Sequence, residues 1–236
     1  FFVETAGRED AALAARLAAA KPGREGVGTM HLGGPPGLRG GAALYVPEYY
    51  DDTEAWPLVV ALHGGSGEGN AFLWSWLREA RTRGCLLLAP TATGSTWSLT
   101  EPEEDGPVIA QHIAAVSAQW RVDDRRILLT GMSDGGTFTY SWGLGRDCPA
   151  THLAPVAAAY NPILMGFADV ERLPGLPVRI VNGARDWMFA AATAAEAART
   201  LRAAGACVEH VDIPDLAHAY PREQNGPILD WFLRAP

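Results

Sequence analysis

The chain has 236 residues, of which 48% are hydrophobic and 19% charged, and a formal net charge of −8. That balance excludes intrinsic disorder, and one domain over 1–236 is the simpler reading of the length. No basic stripe of the kind that binds nucleic acid is present, and no apolar run reaches the roughly 18 residues that cross a membrane.

Residues 5–20 read as a first helix, with Thr5 as its cap, Glu9 and Asp10 in its early turns and Pro22-Gly23 as its stop. Residues 1–26 thus form a helical extension. Two short strands, 27–32 and 40–46, flank the turn signal Gly33-Gly34-Pro35-Pro36-Gly37 and are expected to pair antiparallel. Continuous apolar runs follow at 57–63, 85–89, 126–130, 153–159 and 178–181, and an alternating, edge-like run at 207–213. Helix-length segments at 68–82, 106–119, 134–144, 189–204 and 222–234 separate or follow them. Apolar runs without alternation belong to strands covered on both faces. The predicted fold class is therefore α/β, a mostly parallel sheet flanked by helices on both faces, with right-handed crossovers. Ligands of such sheets bind beyond the carboxyl ends of the strands, so the chemistry is expected just after the apolar runs.

Gly131-Met132-Ser133-Asp134-Gly135 fits G-x-S-x-G between a predicted strand and a predicted helix, the setting that gives this motif meaning. The chain must turn so sharply there that side chains at Gly131 and Gly135 would collide, and the serine hydroxyl is left exposed above a helix N-terminus. A serine hydroxyl is a poor nucleophile and needs a base, which needs an orienting carboxylate. With this motif the chain order is serine, acid, histidine. Of His152, His210 and His218, only His218 follows the last strand on the expected catalytic side, and it is assigned as base. Asp186 follows the next-to-last strand and is assigned as acid, with Asp169 in reserve; Asp212 lies within a strand and Asp215 is close enough to His218 to shape its loop. Acyl transfer also needs oxyanion donors. The Asp134 amide is one candidate; the Gly65 amide, in Leu62-His63-Gly64-Gly65-Ser66-Gly67, is the other, with Gly64 and Ser66 as neighbours. His63 precedes the serine and is read as bracing that loop.

With these residues in hand, the chain from about residue 40 onward resembles the α/β-hydrolases. It is most similar to the lidless bacterial esterases: the phospholipase/carboxylesterase family and the polyhydroxybutyrate-depolymerase and feruloyl-esterase-like proteins. The stretches that carry the likeness are 57–65, Gly131 to Gly136, Asn182-Gly183-Ala184-Arg185-Asp186 and His218-Ala219-Tyr220-Pro221. The resemblance implies a Ser133–His218–Asp186 triad, oxyanion donation by the Gly65 and Asp134 amides, and hydrolysis of a small-molecule carboxylic ester without metal or cofactor. In the families resembled, a small aliphatic residue and a proline commonly follow the acid. Here Trp187-Met188-Phe189 do.

Trp187 and Met188 are expected at the pocket rim, and Trp97, in a Gly/Ser/Thr-rich loop on the catalytic side, is expected to touch substrate. Trp74, Trp76, Trp120, Trp142 and Trp231 are read as packing residues. The stretch between Asn161 and Asp186 has room for a short cap only, so a shallow cleft for short or aryl esters is expected. Cys85, Cys148 and Cys207 form no CxxC unit, so neither a zinc site nor a disulfide framework is expected. The absence of a visible signal peptide favours the cytoplasm, while a start at Phe1 leaves a secreted form open. The oligomeric state is left open.

Overall fold

The apolar runs form strands of a single eight-stranded sheet in the order β1-β2-β4-β3-β5-β6-β7-β8. A computed structural model describes residues 10–20, 23–99, 103–166 and 168–234. The strands are β1 (Gly28–Leu32), β2 (Ala42–Val46), β3 (Trp56–Leu62), β4 (Leu86–Pro90), β5 (Val122–Met132), β6 (His152–Val156), β7 (Pro177–Gly183) and β8 (Cys207–Ile213). The helices are α1 (Ala11–Ala19), α2 (Gly69–Arg83), α3 (Asp105–Gln119), α4 (Asp134–Ser141), α5 (Ala191–Ala203) and α6 (Asn225–Phe232). β2 pairs antiparallel with both β1 and β4, and every pairing from β4 to β8 is parallel. The alternating run at 207–213 is indeed at the sheet edge.

Alternate residues of β3 divide the core. Leu58, Val60 and Leu62 pack with Ile109, Ile113 and Val116 of α3, Phe138 of α4 and Leu201 of α5. Val59 and Ala61 face the other way, with Leu73, Trp76 and Leu77 of α2 and Ile228, Leu229 and Phe232 of α6. Both faces are thus covered, which is why these strands carry no polar alternation.

Several local expectations shift. Thr5 lies outside the described residues, and α1 is capped instead by Asp10, whose Oδ1 accepts the Leu13 N–H at 3.1 Å. α4 ends at Ser141, and a 3₁₀ turn at Arg222–Gln224 precedes α6. Trp76 is fully buried, but Trp74 is 53% exposed, because the buried stripe of α2 runs through Leu73, Trp76, Leu77 and Ala80. Two residues from Trp76 is more than half a turn away on a helix. Among the described residues no helix is long and apolar enough to cross a membrane.

Candidate active site

The carboxyl ends of β3, β5, β7 and β8 carry the residues singled out by their spacing. At the end of β5 the chain reverses into α4 through Ser133, whose φ of 56° and ψ of −117° are strained for any residue with a side chain. Glycine is required on both sides of this turn. A Cβ on Gly131 would stand 2.4 Å from the Gly135 carbonyl carbon, and one on Gly135 would stand 2.5 Å from the backbone oxygens of Leu62 and His63. The Ser133 amide is held by the Val156 carbonyl of β6 at 3.0 Å.

The loops that carry Asp186 and His218 are tied to each other. A Cβ on Gly183, where β7 ends, would meet the Leu216 carbonyl oxygen at 2.3 Å. Beyond it, Ala184 N–H donates to the Ile213 carbonyl and Arg185 N–H to the Leu216 carbonyl, at 2.9 and 3.0 Å. This brings Asp186 beside His218. Asp186 Oδ2 meets His218 Nδ1 at 2.9 Å, and His218 Nε2 meets Ser133 Oγ at 3.1 Å. The other carboxylate oxygen, Oδ1, accepts the amides of Met188 and Phe189 at 2.9 and 2.8 Å, so both oxygens have fixed work. With Nδ1 donating to the carboxylate, Nε2 is left to accept the serine proton.

The competing residues are engaged elsewhere. Asp169 binds Arg146 at 3.1 Å and accepts the Glu171 amide, and Asp212 faces His210 at 3.3 Å. His152 opens β6 at the other end of the strand and meets Trp231 and Phe232 edge-on. His63 is buried with Nδ1 2.6 Å from the Gly64 carbonyl, while Nε2 accepts the Ala92 amide at 3.1 Å. It braces the loop that carries Gly65. Among the described residues, neither the Gly65 nor the Asp134 amide has a hydrogen-bond partner. The Gly65 backbone lies against the Asp134 side chain, since a Cβ on Gly65 would stand 2.5 Å from Asp134 Oδ2.

No family model matches the chain. A bifunctional acetylxylan esterase/xylanase of Neocallimastix patriciarum is 28% identical over 134 residues, which is 55% of this chain and 19% of that protein. The chain thus spans about a fifth of that relative's length. Among solved structures, an S-formylglutathione hydrolase of Staphylococcus aureus superposes with a TM-score of 0.67 at 14% identity, covering 89% of this chain and 99% of the other. A thermostable esterase superposes with a TM-score of 0.62 at 19% identity, covering 82% of this chain and 56% of the other. The chain has the α/β-hydrolase fold.

A cavity of about 320 Å³ opens beside the Gly65 loop. Phe72, Met132, Tyr220, Glu68 and Arg222 help to line it. Phe72 and Tyr220 come from α2 and the His218 loop, and their rings lie 5.0 Å apart. Sequence reading missed this wall, although Tyr220 and Met132 stand inside the motifs that locate His218 and Ser133. A larger concavity of about 910 Å³ lies at the opposite ends of the strands, where Arg24, Asp51, Asp52 and Arg126 mix both signs of charge.

Trp97, expected to touch substrate, is buried and stands outside the lining of the 320 Å³ cavity. It is 2% exposed, donates its indole N–H to the His63 carbonyl at 2.7 Å, meets the His63 ring tilted at 4.7 Å and stacks on Phe138 at 5.5 Å. A buried indole needs a partner for its N–H, and the loop backbone supplies one. Trp187 is 75% exposed and meets the His218 ring edge-on at 6.2 Å; Met188 is also exposed. Both stand outside the 320 Å³ cavity.

Burial holds the imidazoles of His63 and His152 below their ordinary value of 6.5. Above that value both are neutral whether the chain is folded or not. Below it the unfolded chain takes up protons that the buried rings refuse, so stability falls with pH until the folded rings titrate too. The melting temperature is expected to fall between pH 7.5 and 5.5, and less so in His152→Phe, by calorimetry at matched ionic strength. An equal fall in both proteins would remove His152 from the cause.

Proposed function

We propose that this α/β-hydrolase is a serine esterase that cleaves carboxylic esters through an acyl-enzyme. The observation that carries the reading is the unbroken hydrogen-bonded line from Asp186 through His218 to Ser133 Oγ. In the first half-reaction Ser133 Oγ attacks the ester carbonyl carbon as His218 Nε2 takes its proton. The carbonyl oxygen becomes an oxyanion that accepts the Gly65 and Asp134 amides, and Asp186 stabilises the imidazolium. The tetrahedral species collapses, and the alcohol leaves with the proton from His218. Water then repeats the sequence on the acyl-enzyme, with His218 as base, and releases the acid.

The acyl group is read as short. The cavity of about 320 Å³ beside the Gly65 loop, lined by Met132 and Tyr220 and not by Ser133 or His218 themselves, is at the small end for ligand sites. Between β6 and β7 the described residues contain one 3₁₀ turn, Pro162–Gly166, and no helical lid. The acetylxylan esterase relative agrees with a small acyl group. A fluorophosphonate probe should attach to Ser133, and acetyl and butyryl esters should turn over faster than long-chain esters. An unlabelled Ser133 would sink the reading. Parallel assays on the matched thioesters and amides decide which acyl bond is preferred.

Trp187 and Met188 are proposed as the outer wall for the group that extends beyond the cavity. Because both side chains are exposed, Trp187→Ala and Met188→Ala should change stability by less than about 0.5 kcal/mol. Their effect should appear as a change of about 10- to 200-fold in preference between small and bulky aryl esters. Unchanged ratios of kcat/KM would exclude both residues from the substrate path.

A further inference from the structure

The two amides offered to the oxyanion belong to different elements, Gly65 to the loop after β3 and Asp134 to the first residue of α4. A misplacement on the order of 1 Å is enough to cost about a hundredfold in rate. One segment, residues 92–98 after β4, reaches both. Ala92 N–H donates to His63 Nε2 at 3.1 Å, Trp97 Nε1–H to the His63 carbonyl at 2.7 Å, and Ser66 N–H to the Ser95 carbonyl at 2.9 Å. On the other side, Thr96 Oγ1–H donates to Asp134 Oδ2. That oxygen is the one that a Cβ on Gly65 would meet at 2.5 Å, so the bond holds the side chain that flanks the Gly65 backbone. The ring of Trp97 adds a second link, with the His63 ring 4.7 Å away and the Phe138 ring of α4 5.5 Å away.

The segment itself has no strand or helix, and Thr93, Gly94 and Ser95 are exposed. It is fastened by Asp105, the first residue of α3, which is 1% exposed. Asp105 Oδ1 accepts Thr93 N–H at 2.8 Å and Oδ2 accepts Ser98 N–H at 2.7 Å, while its own amide donates to Ser98 Oγ at 3.1 Å. One carboxylate therefore closes both ends of the segment onto a helix N-terminus, where its charge is favoured.

We propose that Asp105 is a positioning residue for the oxyanion hole, acting through residues 92–98 on Gly65 and Asp134. This rests on the esterase reading of Ser133. The carboxylate cannot be exchanged for an amide, because both oxygens accept backbone N–H groups and an amide offers one acceptor. Its NH₂ would oppose the other backbone donor.

The test uses the full chain with active sites counted by fluorophosphonate labelling. In Asp105→Asn, kcat per labelled serine on p-nitrophenyl acetate should fall about 10- to 100-fold, with KM within about threefold, as expected for a donor moved rather than removed. Phenylboronic acid forms a tetrahedral adduct on serine, and its affinity should weaken by a similar factor. Thr96→Val should act in the same direction. The double variant should lose less than the product of the two single losses, because both act on one contact chain. If Asp105→Asn lowers the melting temperature but keeps the wild-type kcat and boronate affinity per labelled serine, Asp105 is a helix cap only and the proposal fails. If that variant does not fold, Thr96→Val and Ser98→Ala carry the same readouts, and unchanged values in both overturn it. A wild-type protein unlabelled at Ser133 would instead remove the esterase reading, and this inference with it.

Discussion

Replacing Ser133 with alanine is expected to abolish ester hydrolysis, with kcat lowered about 10⁶-fold, while the folded chain persists. The hydroxyl is the only atom lost, and its partner in the fold is His218 Nε2. The backbone strain at φ 56° is borne by alanine as it is by serine, so the turn between Gly131 and Gly135 needs no repacking. The melting temperature should stay within a few degrees of wild type, since no core contact is removed. Turnover of p-nitrophenyl acetate and thermal unfolding measured on the same preparation check both halves. More than about a tenth of the wild-type rate would mean that another group is the nucleophile.

Asp186→Asn should cost about 10⁴ in kcat by a different route. Asparagine can keep its oxygen on the amides of Met188 and Phe189, which Asp186 Oδ1 now accepts. That puts NH₂ against His218 Nδ1 and favours the tautomer with the proton on Nε2, which points a donor at Ser133 Oγ instead of an acceptor. The loop should survive, so the loss belongs to kcat and not to folding. Asp169→Asn, by contrast, weakens the contact with exposed Arg146 and should leave kcat within about threefold. The reverse ranking would move the acid to the β6 side.

The strands were legible because burial on both faces leaves no polar residue in runs such as Leu58 to Leu62 or Leu86 to Ala89. The turn at Ser133 was legible because two tight approaches admit only glycine at 131 and 135. What stayed hidden depends on partners far apart in the chain. Trp97 looked like a pocket residue from its polar loop, yet its indole is consumed by a carbonyl 34 positions earlier. Phe72 and Tyr220 meet in one wall of the cavity from different elements, and no local pattern pairs them. Trp74 and Trp76 are neighbours in sequence, and only the phase of α2 separates the exposed ring from the buried one.

On the proposed mechanism, the tie between the β7 and β8 loops also decides whether Ser133 can react. Ser133 lies between β5 and α4, whereas the proposed base stands 85 positions further along and its carboxylate partner 32 positions before that base. Contacts of such separation form only after much chain entropy has been given up. On the proposed mechanism, Ser133 is an ordinary alcohol unless the close approach of Gly183 to Leu216 brings the two loops together. On the proposed mechanism, a chain cut short before His218 is expected to leave Ser133 without a base and without esterase activity, which fluorophosphonate labelling of the shortened chain checks.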